Sequence, residues 1–398
     1  MSRTIIICGG YPPNISGGAQ LCKNIAEGLA HKGNDVYVLS LISNKNSKSK
    51  DGNVKIIRRR YSPKLYTKTL GFLAHRLHSE RIVYYNNVAN SLEQIHIVKE
   101  NVETISPDIV ITVCYPFFAH IIGKYLKEEF SNIKWIAYYI DPFFSNEQYH
   151  VKSSEFMRRK EMKVISTADR IVMLEWMSND YRQYIDEKRL YLSYIPLSFS
   201  SIPNEKPDSL DCNKKLMLLY CGTLYKGIRE PDYLFDLCRK IYERNSNKIK
   251  VFVIGKKIGY SSHEISQWKQ DFKKEIAIMD PVAHTILEDY YQKASILLSI
   301  GNTTKNQMPS KIFEYIALGK PIIHIYKVED CPVKKLLRNY PTALCIAEGE
   351  CINENLLRKI EELIAESFEN NRLSEEQIKM LYRKYTMQNI VQAFEYNE

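Results

Sequence analysis

No hydrophobic run in the sequence is long enough to cross a membrane as a helix. The longest, Ile109 to Gly123, is interrupted by Pro116 and His120 and falls short of the roughly 20 residues that a span requires. A secretory leader is not expected either, because only four apolar residues, Ile5 to Cys8, precede Gly9-Gly10, too few for a signal-peptide core. A cytoplasmic protein is expected, with a place at the inner face of the cell membrane left open. The nine cysteines include no Cys-x-x-Cys pair, so they point to neither a zinc site nor a disulfide framework and should be reduced and mostly buried. No Asp-x-Asp is present to hold a metal diphosphate, so no metal is expected. There is no Gly-x-Gly-x-x-Gly and no Walker lysine after a glycine loop, which disfavours nicotinamide and ATP sites.

What is present is a globular composition, 44% hydrophobic and 26% charged over 398 residues. A single core stops growing near about 250–300 residues, so two domains are expected. Short apolar runs alternate with longer amphipathic stretches, the pattern of βαβ units and parallel sheets. In the first half the expected strands are Thr4–Cys8, Asp35–Leu41, Val54–Arg58, Ile109–Val113, Lys134–Tyr139, Arg170–Leu174 and Leu190–Tyr194, with helices over Ala19–Lys32, Ile82–Ile105 and Glu155–Ser166. The polar stretch Ser198–Asp208, with its Pro and Ser, reads as a linker. Beyond it strands are expected at Lys215–Tyr220, Ile249–Ile254, Ile276–Met279, Ile296–Ser299, Pro321–Ile325 and Ala343–Ile346, then one helix from Ser374 to Tyr396. The expected architecture is α/β: a Rossmann-like, doubly wound domain over 1–200, a second over 201–375, and a helix over 376–398 crossing back to the first. Charge is uneven, with 27 Lys+Arg against 19 Asp+Glu in residues 1–200 and 29 against 27 in the remainder. The excess, which includes Arg58-Arg59-Arg60 and Arg158-Arg159-Lys160, suits an anionic partner such as lipid headgroups, a polyprenyl diphosphate or nucleic acid. A solvated basic face with no partner explains it equally well.

Three strand-to-helix segments hold the candidate chemistry. The first, Gly9 to Ala19, ends in Gly17-Gly18 before a helix, where backbone N–H groups can approach an anion closely; a tight turn without a ligand is the alternative. The second, Tyr220 to Pro231, combines Gly222 and Thr223 with Lys226 and Arg229, charge-assisted donors of the kind a diphosphate needs. Either cation could instead be an ordinary surface residue. The third, Asn302 to Ile323, runs from a strand through a polar loop to a helix opened by Pro309. There Phe313, Ile316 and Ala317 share a stripe by three-and-four spacing, which leaves Glu314 on a neighbouring face, where its carboxylate can accept two ribose hydroxyls or simply face solvent.

Pro12-Pro13, Gly17-Gly18-Ala19, Leu29-Ala30, Gly33 and Val36, together with Glu314 and Gly319-Lys320-Pro321, resemble the retaining glycosyltransferases of the GT-B fold, the family-four-like group that includes sucrose-synthase and mannosyltransferase-like enzymes. The likeness runs over nearly the whole chain. It implies two Rossmann-like domains facing a cleft, with the nucleotide sugar on the second and the acceptor on the first. It also implies transfer with retention, in which the donor's own diphosphate oxygen deprotonates the acceptor. Asn306, Met308, Ser310, Lys311 and Glu314 would hold the donor with Gly17, Gly18, Gly222, Thr223, Lys226 and Arg229, the two cations also stabilising the leaving diphosphate. The sequence departs from the pattern at Asn306, which is separated from Glu314 by seven residues and stands where the family has a first Glu, and at Thr223, where the group often has Arg.

On the acceptor side, Asp141 follows the strand Lys134–Tyr139 at a place where relatives have a sugar-contacting histidine; a turn aspartate before Pro142 is the alternative. Tyr115 and Phe117 could line an acceptor channel or belong to the core. The expected function is transfer of a sugar, from a uridine more readily than a guanosine diphosphate donor, to a glycan or lipid-linked acceptor in surface polysaccharide synthesis, with no nucleic acid bound. Two alternatives remain: a nucleotide-sugar 2-epimerase of the same fold, whose acid/base histidine would come from His120, His263, His284 or His324, and a basic nucleic-acid-binding module, which leaves the third segment idle.

Overall fold

The computed structural model describes residues 2–14, 16–77, 79–146, 155–197, 216–245, 248–305, 307–368 and 372–396. Ser198–Asp208, read as a linker, and Asn306 lie outside the described residues. The chain divides into two units, Met1–Pro196 with Lys384–Glu398, and Leu197–Arg383.

The first unit is built from β1 (Arg3–Cys8), α1 (Gly17–His31), β2 (Asp35–Ser43), β3 (Ser47–Asp51), β4 (Val54–Arg60), α2 (Leu65–Leu77), α3 (Glu80–Ile105), β5 (Ile109–Cys114), α4 (Phe118–Glu129), β6 (Lys134–Tyr139), α5 (Glu155–Ile165), β7 (Arg170–Leu174), α6 (Ser178–Tyr181) and β8 (Leu190–Ser193). Its eight strands lie in the order β3-β4-β2-β1-β5-β6-β7-β8. Ile5 pairs with Tyr37 on one side and Val110 on the other. Covered on both faces, the central strands are continuous apolar runs, IIIC in β1 and IVITVC in β5, as parallel sheets require. The edge strand β3, Ser-Lys-Ser-Lys-Asp, pairs antiparallel with β4 and has no apolar signature. Lysines on an edge discourage pairing with another chain. α1 starts on Ser16, whose hydroxyl accepts the N–H of Ala19 at 3.1 Å. A Cβ at Gly18 would stand 2.7 Å from Ile140 Cδ1, just past the end of β6, so the glycine lets α1 start close against that side chain.

The second unit contains β9 (Leu216–Cys221), β10 (Leu224–Tyr225), α7 (Asp232–Asn245), β11 (Ile249–Ile254), β12 (Lys257–Ile258), α8 (Ser262–Asp271), β13 (Ile276–Met279), α9 (His284–Lys293), β14 (Ile296–Ile300), α10 (Lys311–Ala317), β15 (Ile322–Tyr326), α11 (Pro332–Leu336), β16 (Ala343–Ala347), α12 (Glu354–Phe368) and α13 (Glu375–Leu381). Six parallel strands run β13-β11-β9-β14-β15-β16, and β10 pairs with β12 apart from them. The core gathers Leu218, Tyr220, Val251, Leu298 and Ile323 from the sheet with Phe235, Leu237 and Ile360 from α7 and α12. α10 ends at Gly319, which adopts φ +69° and lies so close to Leu373 that a Cβ would be 2.3 Å from its carbonyl oxygen. The next residue, Lys320, is buried and donates from Nζ to the carbonyls of Tyr291, Gln292 and Ala294, capping the end of α9.

Where the periodicity predicts one helix from Ser374 to Tyr396, the structure has α13, a 3-10 turn at Arg383–Tyr385, α14 (Met387–Val391) and a second 3-10 turn at Gln392–Phe394. The extended backbone of Thr386 starts α14 afresh. Only the part from Lys384 belongs to the first unit. Ile390, Val391 and Phe394 are buried there, the Phe394 ring lies edge-on to Tyr138, and Arg170 donates to the carbonyls of Ala393 and Glu395.

Candidate functional site

In the second unit the winding reverses at β9, with β11 and β13 to one side and β14 to the other. At such a switch point the loops leaving the carboxyl ends of neighbouring strands diverge and make room for a ligand. The loop after β9 carries Gly222, Thr223, Lys226 and Arg229, and the loop after β14 leads through Asn302 to α10. Arg229 ties the two together: Nε and Nη2 donate to Asn302 Oδ1 at 3.0 and 2.7 Å, and Nη1 donates to the Thr223 carbonyl at 3.1 Å. The Thr303 N–H adds a bond to the Ile228 carbonyl at 3.1 Å, and Gly222 N–H bonds the Ile254 carbonyl. Lys226 is paired instead with Glu264 at 2.6 Å, and that carboxylate also closes the capping box of α8 with Ser261. Lys226 and the Ser261 bonds push the Glu264 carboxyl down to about 2. The cations expected to be free for a diphosphate are thus engaged with protein, because the loops that present them must themselves be held.

α10 starts at Lys311, with Ser310 at its cap and Pro309 one residue earlier; Ser310 is exposed and makes no capping bond. Met308 is half-buried. Ile312, Phe313, Tyr315, Ile316 and Ala317 are buried, so the helix is apolar except at Lys311 and Glu314. Glu314 keeps 37% of its side chain exposed, receives the Tyr291 hydroxyl at 3.1 Å and pairs with Lys311 at 2.6 Å. Tyr315 anchors the helix start to β9: its hydroxyl accepts the Cys221 N–H at 2.7 Å and donates to the Cys221 carbonyl at 3.2 Å. One end of the sheet therefore holds Gly222, Thr223, Arg229, Lys311 and Glu314 in a single hydrogen-bonded frame.

The first unit has its own reversal, at β1 and β5. α1, with Gly17 and Gly18 in its first turn, follows β1, Tyr115 and Phe117 follow β5, and Asp141 follows β6. Phe117 is fully buried and stacks on Phe143 with centroids 3.9 Å apart, so it belongs to the core and not to an acceptor channel. Tyr115 is half-buried, tilted against the same ring at 6.5 Å. Asp141 receives no hydrogen bond from any described residue, and burial pushes its carboxyl up to about 7. Beneath this loop lies Glu161, wholly buried, whose carboxylate accepts the Tyr181 hydroxyl at 2.9 Å and the Phe144 N–H at 2.8 Å, while Tyr181 accepts the Phe143 N–H at 3.0 Å. Burial raises Glu161 to about 7 against the pull of these donors.

Glu161, Tyr181, Tyr291, Asn302 and Glu264 carry structural roles that motif reading does not assign. A signal for Glu161 exists, since Met157, Glu161, Val164 and Ile165 fall on one helical stripe and all four are buried. For the others nothing local marks the partner, which lies 20 to 73 residues away. Of the eight described cysteines six are buried, Cys345 is half-buried and Cys351 is exposed; none forms a disulfide with another.

Residues 215–366 match the family model described as glycosyl transferases group 1. The second unit carries a group 1 glycosyltransferase domain. The solved structures similar to the chain over its length are GT-B glycosyltransferases, and the fold of this chain is theirs. Sucrose-phosphate synthase from Thermosynechococcus elongatus superposes with a TM-score of 0.69 at 14% identity, covering 99% of this chain and 97% of that one. A UDP-forming α,α-trehalose-phosphate synthase from Burkholderia xenovorans gives 0.65 at 10% identity, with 98% of each chain covered. A lipopolysaccharide outer core galactosyltransferase gives 0.60 at 13% identity, again over 98% of each. Comparison with curated proteins yields no match.

Proposed function

We propose that this glycosyltransferase moves a sugar, with retention and without a metal, from a uridine diphosphate sugar to a glycan or lipid-linked acceptor in surface polysaccharide synthesis. The observation that carries the reading is Glu314: a partly exposed carboxylate, oriented by Tyr291 and Lys311, at the carboxyl edge of the switch between β9 and β14. Its remaining lone pairs accept the two ribose hydroxyls. The diphosphate lies against Lys311 and Arg229, with N–H groups of the Gly222-Thr223 turn. In the reaction the bond from the anomeric carbon to the diphosphate oxygen breaks as the acceptor oxygen bonds to the same face. The acceptor's hydroxyl proton passes to the departing diphosphate, whose charge the cations and N–H groups stabilise. No side-chain nucleophile takes part. Asp141 accepts a hydroxyl of the acceptor and orients it.

Two of the neighbours support the finer points by their chemistry: one is UDP-forming, and another builds lipopolysaccharide. The epimerase reading is weakened at two of its four histidines. His120 and His324 are fully buried, and burial pushes both down to about 3, leaving neutral rings without access to a substrate.

Titration calorimetry in EDTA against a panel of uridine and guanosine diphosphate sugars is the test. Binding of at least one uridine donor is expected, weakened about tenfold or more in Glu314→Ala. Absence of nucleotide heat with every common donor removes the proposal.

A further inference from the structure

Two buried polar side chains below the end of β6 take no part in the reaction as described. Glu161 of α5 accepts one donor on each carboxylate oxygen, the Phe144 N–H at 2.8 Å and the Tyr181 hydroxyl at 2.9 Å. That hydroxyl, from α6, itself accepts the Phe143 N–H at 3.0 Å. The two consecutive N–H groups that follow Asp141 and Pro142 are therefore both held from below. Asn146 adds a tie within the segment, donating from Nδ2 to the Pro142 carbonyl at 3.1 Å. Rings pack the same stretch: Phe143 stacks on Phe117 with centroids 3.9 Å apart, and Phe144 is tilted against Tyr181 at 4.8 Å. A carboxylate is a costly group for such a task, since burial opposes its charge and raises it to about 7, whereas an amide of the same size has no charge to desolvate. What an amide lacks is a second accepting atom, because its nitrogen only donates. Phe144 and Tyr181 occupy both oxygens at once.

We infer that Glu161 and Tyr181 are positioning residues that set where Asp141 holds its carboxyl. Neither is asked to touch a substrate; both act through the backbone of Phe143 and Phe144, two and three residues beyond Asp141. Removing an acceptor leaves a buried N–H unpaired, so the segment shifts until water satisfies it. The Asp141 carboxyl, pushed up to about 7 by burial, reports that shift, because water admitted beside it draws it back down. Cys114, Tyr138, Tyr139 and Tyr181, on the neighbouring elements, are raised by burial and stay neutral near pH 7. Glu161 does change charge there, and Glu161→Gln removes that contribution. The inference rests on the acceptor role proposed for Asp141 and deepens it, but its deciding measurement needs neither donor nor acceptor.

The test is a carbon NMR titration of the full chain labelled at its aspartate carboxyls, with the Asp141 signal identified by its loss in Asp141→Asn. A wild-type midpoint near 7 is expected. Tyr181→Phe keeps the ring but removes the acceptor of the Phe143 N–H, and should lower the midpoint by about one pH unit or more. Glu161→Gln should move it the same way, which keeps the test open if Tyr181→Phe folds poorly. Tyr37→Phe, which removes a hydroxyl bonded by Lys55 Nζ at 2.8 Å elsewhere in the same unit, should leave it in place. Release of uridine diphosphate from a uridine donor at pH 8, with water as the probe acceptor, gives a second readout. There kcat should fall about tenfold in Tyr181→Phe with donor KM unchanged, and Asp141→Asn/Tyr181→Phe should be no slower than Asp141→Asn. The inference is overturned by an ordinary carboxylate midpoint in the wild type, by a midpoint that stays put in both variants, by a control that shifts it as much, or by losses that multiply in the double variant. Failure of the acceptor role gives a different result, wild-type release in Asp141→Asn, and leaves the titration to decide whether Glu161 and Tyr181 hold the segment.

Discussion

In the second unit each cation proposed to meet the donor already has a protein partner, Arg229 on Asn302, Lys226 on Glu264 and Lys311 on Glu314, whereas Asp141 of the first unit receives no bond from any described residue. The two arrangements behave differently in water. The paired, partly exposed groups are held in place before a ligand arrives, so the donor frame is set for orientation. A carboxyl desolvated without a partner holds its proton to higher pH, so the acceptor side contains the group that titrates near neutrality. Holding a ligand and responding to pH are thus assigned to different units.

The largest effect is expected at Arg229, because three hydrogen bonds and the link between two loops depend on one guanidinium. Arg229→Ala should weaken donor binding by about a hundredfold, and Arg229→Lys should not restore it, since a point charge cannot span Asn302 and the Thr223 carbonyl together. Donor titration of both variants checks this, and wild-type affinity in Arg229→Lys would break the comparison. Next, kcat/KM of the wild type should rise through about pH 7 as Asp141 ionises. Asp141→Asn should lose about tenfold at alkaline pH and show no such inflection, with donor affinity unchanged. An inflection retained in the variant would move the titrating group elsewhere.

The last effect falls on stability and not on binding or turnover, and concerns Glu161. Its folded-state value, about 7, lies above the ordinary carboxylate range, so the folded protein holds a proton that the unfolded chain has released. Stability contributed by the neutral carboxyl is therefore present below the unfolded value and is lost as pH rises from there to about 7. Glu161→Gln should escape that loss, gaining about 2 kcal/mol relative to wild type between pH 5 and pH 8. Denaturant melts at the two pH values measure it, and parallel behaviour of the two proteins would show Glu161 ionised throughout.

The strands legible in the sequence were those that carry a run of apolar residues, broken by at most one polar residue. β6, β7, β11 and β13 have the ranges that their runs of Ile, Val, Tyr and Met suggest. β3 was invisible because its pairing with β4 rests on backbone bonds, with Ser and Lys side chains in solvent. The broken C-terminal helix was hidden for the opposite reason: Ile378, Tyr382, Tyr385, Ile390 and Phe394 are all buried and keep nearly helical spacing across the break at Thr386. At the candidate site, Glu314, Lys311 and Arg229 could be read from residue type and local spacing. Their partners could not, because Arg229 meets Asn302 73 positions on and Glu314 meets Tyr291 23 positions back. Such pairings depend on strand order, which periodicity does not contain.

The return of Lys384–Glu398 to the first unit also sets an order of events during synthesis. The residues that cover Tyr138 and satisfy the Arg170 guanidinium are translated only after the whole of the second unit, Leu197–Arg383. At a ribosomal rate of about 5–20 residues per second, the first unit waits roughly 10–40 s for them after Pro196 emerges. Until then its central sheet is formed but one side stays open, so a nascent chain stalled anywhere before residue 384 should be a client for chaperones even with 196 residues free of the tunnel.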